Sequence, residues 1–201
     1  METLKSLDEV LSPDQRNLRF INLDGAPTTL ENHHASIAGI HLNPTAPEAV
    51  SSYFATIQNV CLYAWFAYDF YPVVQSLCFS LIELALAKRL PVQGRDNRRL
   101  NELLMQMLSQ RLIRPKKFTH IRNARQAAAE RLRMERKIIR GMRSDPQMAR
   151  NYPSVLADAI RKMRNIHAHP RMHMIITPGD ALDQLQLTAE FINQLFPTDG
   201  A

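Results

Sequence analysis

From about Pro47 onward, apolar residues recur at helical spacing, and the breaks between the periodic stretches fall at Pro and Gly. The first stretch is capped by Thr45 or Ser51 and runs into the early seventies, where Pro72 breaks or kinks it. The second covers 73–90, with Leu77, Leu81, Leu84 and Leu86 on a broad apolar face, and ends at Pro91 and Gly94. A third, 98–113, sets Leu100, Leu103, Leu104, Met107 and Leu108 in helical register before Pro115. A fourth, 123–142, has a modest apolar side of Ala127, Leu132, Ile138, Ile139 and Met142. The fifth starts near Pro153 and aligns Leu156, Ile160, Met163 and His167 on one stripe. The last opens on Thr177-Pro178-Gly179-Asp180, which reads as a capping box with Pro at the first turn. Leu182, Leu185, Ala189, Ile192 and Phe196 then form a seam for another helix, in the same chain or in a partner.

Residues 1–50 read as irregular, and Asp24-Gly25 allows a short hairpin after Leu18-Arg19-Phe20-Ile21-Asn22-Leu23. The expected architecture is therefore all-α: an irregular segment 1–50, then one antiparallel helical bundle over 51–198. At 201 residues, one well-buried core is the natural expectation.

Charge changes this picture in one place. The chain carries a net charge of +6, but residues 111–143 alone hold 12 Lys/Arg against two acids, Glu130 and Glu135. The remainder holds 13 Lys/Arg against 17 acids and is net negative. Within the basic block, Arg133, Arg136, Lys137 and Arg140 share one helix face at i, i+3, i+4 and i+7. Such a face is either a solvated surface or a contact for the phosphates of RNA.

The other residue types exclude more than they suggest. Cys61 and Cys78 stand in apolar surroundings and read as buried reduced thiols. His33, His34 and His41 lack any Cys or acid that would complete a metal-ligand spacing, so no metal and no cofactor is expected. His120 lies among Lys116, Lys117 and Arg122, where phosphate contact is its one legible use. The aromatic run around Trp65 suits a core or a dimer interface. No phosphate loop, dinucleotide fingerprint or Ser nucleophile motif is present. The N-terminal METLKSLDEV offers no apolar run for a signal peptide, and the uncharged stretch 49–68 is too polar for a membrane span, so a cytoplasmic protein is expected.

The segment Arg164-Asn165-Ile166-His167-Ala168-His169 carries the chemistry. On an unbroken helix Arg164 and His169 lie roughly 140° apart around the axis. Pro170 drives His169 toward extended geometry, so the helix should end at His167 or Ala168 and His169 should sit on the exit turn. There its imidazole can swing back toward Arg164, with Asn165 orienting either group. An imidazole trades protons near pH 7, and a guanidinium stabilises a phosphorane-like transition state. RNA supplies its own nucleophile, the 2′-hydroxyl. His167 lies on Arg164's side of the helix and competes for the role, although its stripe with Ile160 and Met163 also suits packing.

This segment resembles the R-N-x-x-x-H motif of the HEPN superfamily, matched here by Arg164, Asn165 and His169. The stretch 79–86 is similar to that family's early core helix, and Glu83 would be its acidic residue facing the cleft. The resemblance covers roughly 51–196, with the basic stretch of about 114–150 as an insertion. It implies a metal-independent endoribonuclease of toxin or antiphage-defence type, working as a homodimer, with an antitoxin or other protein as a further partner. His169 would be the acid/base, Arg164 the transition-state clamp, Asn165 the positioner, and Glu83 and His167 supporting residues. Some family members have a Tyr soon after the motif His; Pro170-Arg171-Met172-His173 stands there instead. The contrasting expectation is a non-catalytic helical module that dimerises and binds nucleic acid or protein through its basic block.

Overall fold

The computed structural model describes residues 4–21, 27–90, 100–123, 126, 152–168 and 176–198, with the side chains of 163 and 165–168 outside that set. The α-helices bounded within it are α1 (Leu30–Ala38), α2 (Glu48–Tyr63), α3 (Phe70–Arg89), α4 (Leu100–Ser109), α5 (Tyr152–Ala168) and α6 (Pro178–Leu195). A further helix begins at 119 and leaves the described residues after 123. Among the described residues there is no strand; Ile21 and Pro27 form an isolated antiparallel bridge. The protein is all-α, as its periodicity requires.

α3 is the hub. It packs against α2, α4, α5 and α6 and buries Tyr71, Val74, Cys78, Phe79, Leu81, Ile82, Ala85 and Leu86. It is also long and apolar enough, by length and composition, to cross a membrane, but half of that stretch is buried among its neighbours. Its most extensive partner is α6, which sets Leu185, Ala189 and Ile192 into the core. The seam read from the sequence is thus occupied within the chain. The capping box forms as its residues dictate. The Thr177 hydroxyl accepts the Asp180 N–H, and the Asp180 carboxylate accepts the Thr177 N–H at 2.9 Å.

Three expectations need correcting. First, the segment 1–50 contains a helix, α1, whose Thr29 hydroxyl accepts the Asn32 N–H. Its buried side is only His33 and Ile37, too sparse to announce itself as a period.

Second, the chain breaks at 64–69 rather than at Pro72. Pro72 sits in the first turn of α3, where its missing N–H costs nothing. The break is held from a distance: the Asn17 amide donates to the Ala64 and Trp65 carbonyls at the end of α2, both at 2.9 Å.

Third, α4 stops at Ser109, short of Ile113. Leu112 N–H returns to the Met107 carbonyl and Arg111 N–H to that of Leu108, the two bonds of a Schellman turn. Arg111 occupies the left-handed position at φ 51, a conformation that costs a non-glycine residue roughly 1–2 kcal/mol.

Both cysteines are free and buried, and burial pushes each thiol up to about 12, so neither is a nucleophile at neutral pH. His33 is also buried. Its Nε2 donates to the Cys61 carbonyl at 2.8 Å, and its ring lies against Trp65 and Tyr71. His33 is therefore a satisfied core histidine rather than a ligand. Among the described residues no three His, Cys, Asp or Glu converge on a metal position.

Burial lowers the His33 pKa, because the charged ring would lose its water. The unfolded chain therefore binds a proton near pH 6.5 that the folded chain refuses, and stability falls as pH drops below that value. Asp14 acts in a lower window. Its carboxylate accepts from the Arg16 side chain, the Arg16 N–H and the Tyr68 N–H, which hold it at about 2. Its contribution is complete above about pH 4 and disappears toward pH 2. Urea midpoints at pH 7, 5 and 3 should fall in sequence. His33→Gln, which keeps an amide donor for Cys61 but cannot titrate, should flatten the pH 7 to 5 step alone. An unchanged step would mean that His33 does not set the pH dependence there.

Candidate active site around Arg164 and Glu83

The buried stripe of α5 fixes where Arg164 can be. Leu156, Ala157 and Ile160 face the core, and Arg164 follows Leu156 and Ile160 at successive steps of four. Each step of four rotates the position by about 40°, so Arg164 emerges at the rim of the buried stripe, above α3. Its side chain is 45% exposed, and its Nη2 lies 3.5 Å from Oε2 of Glu83, itself 32% exposed. Glu83 stands on α3 beside the buried Phe79, Ile82 and Leu86. Two residues singled out in the sequence, one from each of two helices, thus meet at the core's edge.

The neighbouring cations on α5 are used differently. Arg161 and Lys162 both bind Asp158 on their own helix, at 2.5 and 2.6 Å. Those two partners, Lys162 first, hold the Asp158 carboxylate below its usual range. Arg164 alone of the three reaches across to α3. Its pair with Glu83 is loose: at 3.5 Å and partly exposed, such a pair is worth roughly 0–1 kcal/mol. A guanidinium held this way can leave its carboxylate for a phosphate, with which it makes two parallel hydrogen bonds.

α5 ends at Ala168, the later of the two boundaries expected from Pro170. Asn165 and His167 belong to this helix, while their side chains lie outside the described set. His169 and Pro170 lie outside the described residues, as do Arg133, Arg136, Lys137 and Arg140 of the basic face. His120 is described and is engaged: its Nε2 is 2.8 Å from the Tyr152 hydroxyl at the start of α5, beside the fully buried Phe118.

The structure adds cations that periodicity did not single out. Arg111, Arg114 and Lys117, from the front of the basic block, line a pocket together with Arg89 and Gln194. The first three could have been found from the +10 block itself, had its non-helical front been given the weight of its helical part. Arg89 and Gln194 could not, because they join only through the packing of α3 and α6. Compared with protein-family models, with curated proteins and with solved structures, the chain matches none.

Proposed function

We propose that this protein is a metal-independent endoribonuclease of the HEPN type, in the toxin or antiphage-defence class, acting in the cytoplasm on RNA as a homodimer. The observation that supports this reading best is the half-exposed Arg164 guanidinium, loosely paired across helices with Glu83 beside the motif's own helix end. In the proposed reaction the substrate's 2′-oxygen attacks the adjacent phosphorus and gives its proton to the His169 imidazole. The phosphorus–O5′ bond breaks, and the departing 5′-oxygen takes that proton from the His169 imidazolium, which returns the ring to its neutral form. Arg164 bears the extra negative charge of the phosphorane, and Asn165 sets the orientation of the reacting groups. The products carry a 2′,3′-cyclic phosphate and a 5′-hydroxyl.

The test is purified protein on total RNA with EDTA present, comparing wild type, His169→Ala and His167→Ala at matched thermal midpoints. His169→Ala should lose about 10²–10⁴ in rate, the range for an acid/base group. His167→Ala should retain cleavage, weakened at most in part. A dead His167→Ala beside a fully active His169→Ala would reassign the acid/base to the helix. Absence of cleavage by the wild type, with RNA still bound, would leave a nucleic-acid-binding helical module.

A further inference from the structure

We infer that the pocket between the end of α3, the loop after α4 and the end of α6 binds a phosphate group. Its walls carry Arg89, Arg111, Arg114 and Lys117, and among the described residues no carboxylate lines it. Among the described residues none of these four cations is ion-paired, whereas the cations of α5 find acids on their own or a neighbouring helix. Four like charges around one small space repel one another, and an anion between them relieves that repulsion.

A second observation points the same way and is independent of charge. Gln194 accepts the Arg114 N–H through Oε1 at 2.6 Å, which fixes which way its amide faces. The other end, Nε2, is buried and has no acceptor among the described residues. Buried donors are nearly always satisfied, and this one belongs to a residue that lines the pocket, where a ligand that shifts the side chain slightly would supply the acceptor. A phosphate oxygen is such an acceptor, and the guanidinium forks around it suit the remaining oxygens.

The backbone fits this reading as well. Arg111 is held at φ 51 by the Schellman turn, and strained positions of this kind concentrate at ligand sites. The pocket volume is about 260 Å³. Counting roughly 30 Å³ for each water-sized oxygen, a phosphoryl group fits with space for several waters. The contrast with the neighbouring surface is sharp. The groove between α6 and the segment 119–123 is lined by Asp180, Asp183 and Glu190 with no Lys or Arg among the described residues, and would repel the same ligand.

This proposal does not depend on cleavage, and its test avoids it. The two probes are inorganic phosphate, followed by calorimetry, and a 2′-O-methyl oligonucleotide, followed by anisotropy over a salt series. The modified strand lacks the 2′-hydroxyl nucleophile, so catalysis cannot confound the result. Gln194→Glu keeps the oxygen that receives Arg114 N–H and turns the orphan donor into a charged acceptor. It should weaken phosphate binding at least tenfold. Arg114→Gln with Lys117→Gln should lower the log–log salt slope on the strand by about 1.4, or roughly 0.7 for each phosphate no longer neutralised. Lys88→Gln, an exposed cation of α3 that does not line the pocket, should change neither. Circular dichroism on each variant secures the fold. Weakening confined to inorganic phosphate would identify a small phosphate ligand, and weakening confined to the strand a backbone phosphate; either supports the site. Wild-type binding of both probes by Gln194→Glu and by the double variant would overturn it.

Discussion

Arg164→Ala should lower RNA cleavage by about 10²–10³-fold while leaving the protein folded. The rate loss follows from removing a fixed donor aimed at charge that develops only in the transition state. The intact fold follows from how little the side chain contributes in the resting protein. Its pair with Glu83 is 3.5 Å long and partly exposed, and α5 is anchored by Leu156, Ala157 and Ile160 rather than by this contact. The thermal midpoint should therefore move by no more than the equivalent of about 1 kcal/mol. Arg164→Lys keeps the charge but loses the planar fork, so it should recover only a small part of the rate. Glu83→Gln should cost far less than Arg164→Ala, because it removes a resting partner and leaves the guanidinium in place. The check is a single-turnover gel assay on one RNA, normalised to folded protein. Full activity in Arg164→Ala would sink the proposed mechanism.

How much of this could be read from the sequence depended on whether a feature was local. The Thr177 capping box and the extent of α5 were legible, because caps and Pro act on their own neighbours. The all-α architecture followed from apolar spacing alone. The break at 64–69 was not legible: nothing in Ala64-Trp65-Phe66-Ala67 disfavours a helix. The carbonyls that end α2 there are taken by Asn17, a residue remote in sequence. α1 was missed for a related reason. One of its two core contacts, beside Ile37, is His33, counted as polar, yet burial and the bond to the Cys61 carbonyl make it a core residue. At the candidate site, the sequence singled out Arg164 and Glu83, each with a legible helix register, but their meeting comes from the packing of α5 on α3, which the sequence does not show. The phosphate pocket combined a local signal, the basic block, with Arg89 and Gln194, which only tertiary packing supplies.

The largest stability effect from a single polar residue is expected at Asn17. It lies in the segment that reads as irregular, yet it is 1% exposed and its amide is engaged at both ends. Its Nδ2 donates to Ala64 and Trp65 carbonyls, and its Oδ1 accepts the Tyr71 hydroxyl at 3.2 Å. One amide thus ties the N-terminal segment to the end of α2 and the start of α3. Asn17→Ala strands the Ala64 carbonyl and the Tyr71 hydroxyl in a buried site, while the Trp65 carbonyl keeps the Asp14 N–H at 3.0 Å. Each unsatisfied group costs about 1–3 kcal/mol, but relaxation is shared, so a total of roughly 2–4 kcal/mol is expected. For a domain of this size that corresponds to a fall in Tm of about 5–15 °C. Asn17→Asp is the sharper test. It keeps the shape and the acceptor for Tyr71, but places carboxylate oxygen against two carbonyls, and should be at least as damaging as alanine. Leu18→Ala, at a neighbouring position that is 48% exposed, should stay within about 0.5 kcal/mol of wild type. Urea unfolding of the three variants decides the matter. A loss below about 0.5 kcal/mol for both Asn17 variants would mean that the N-terminal segment is not part of the cooperative fold.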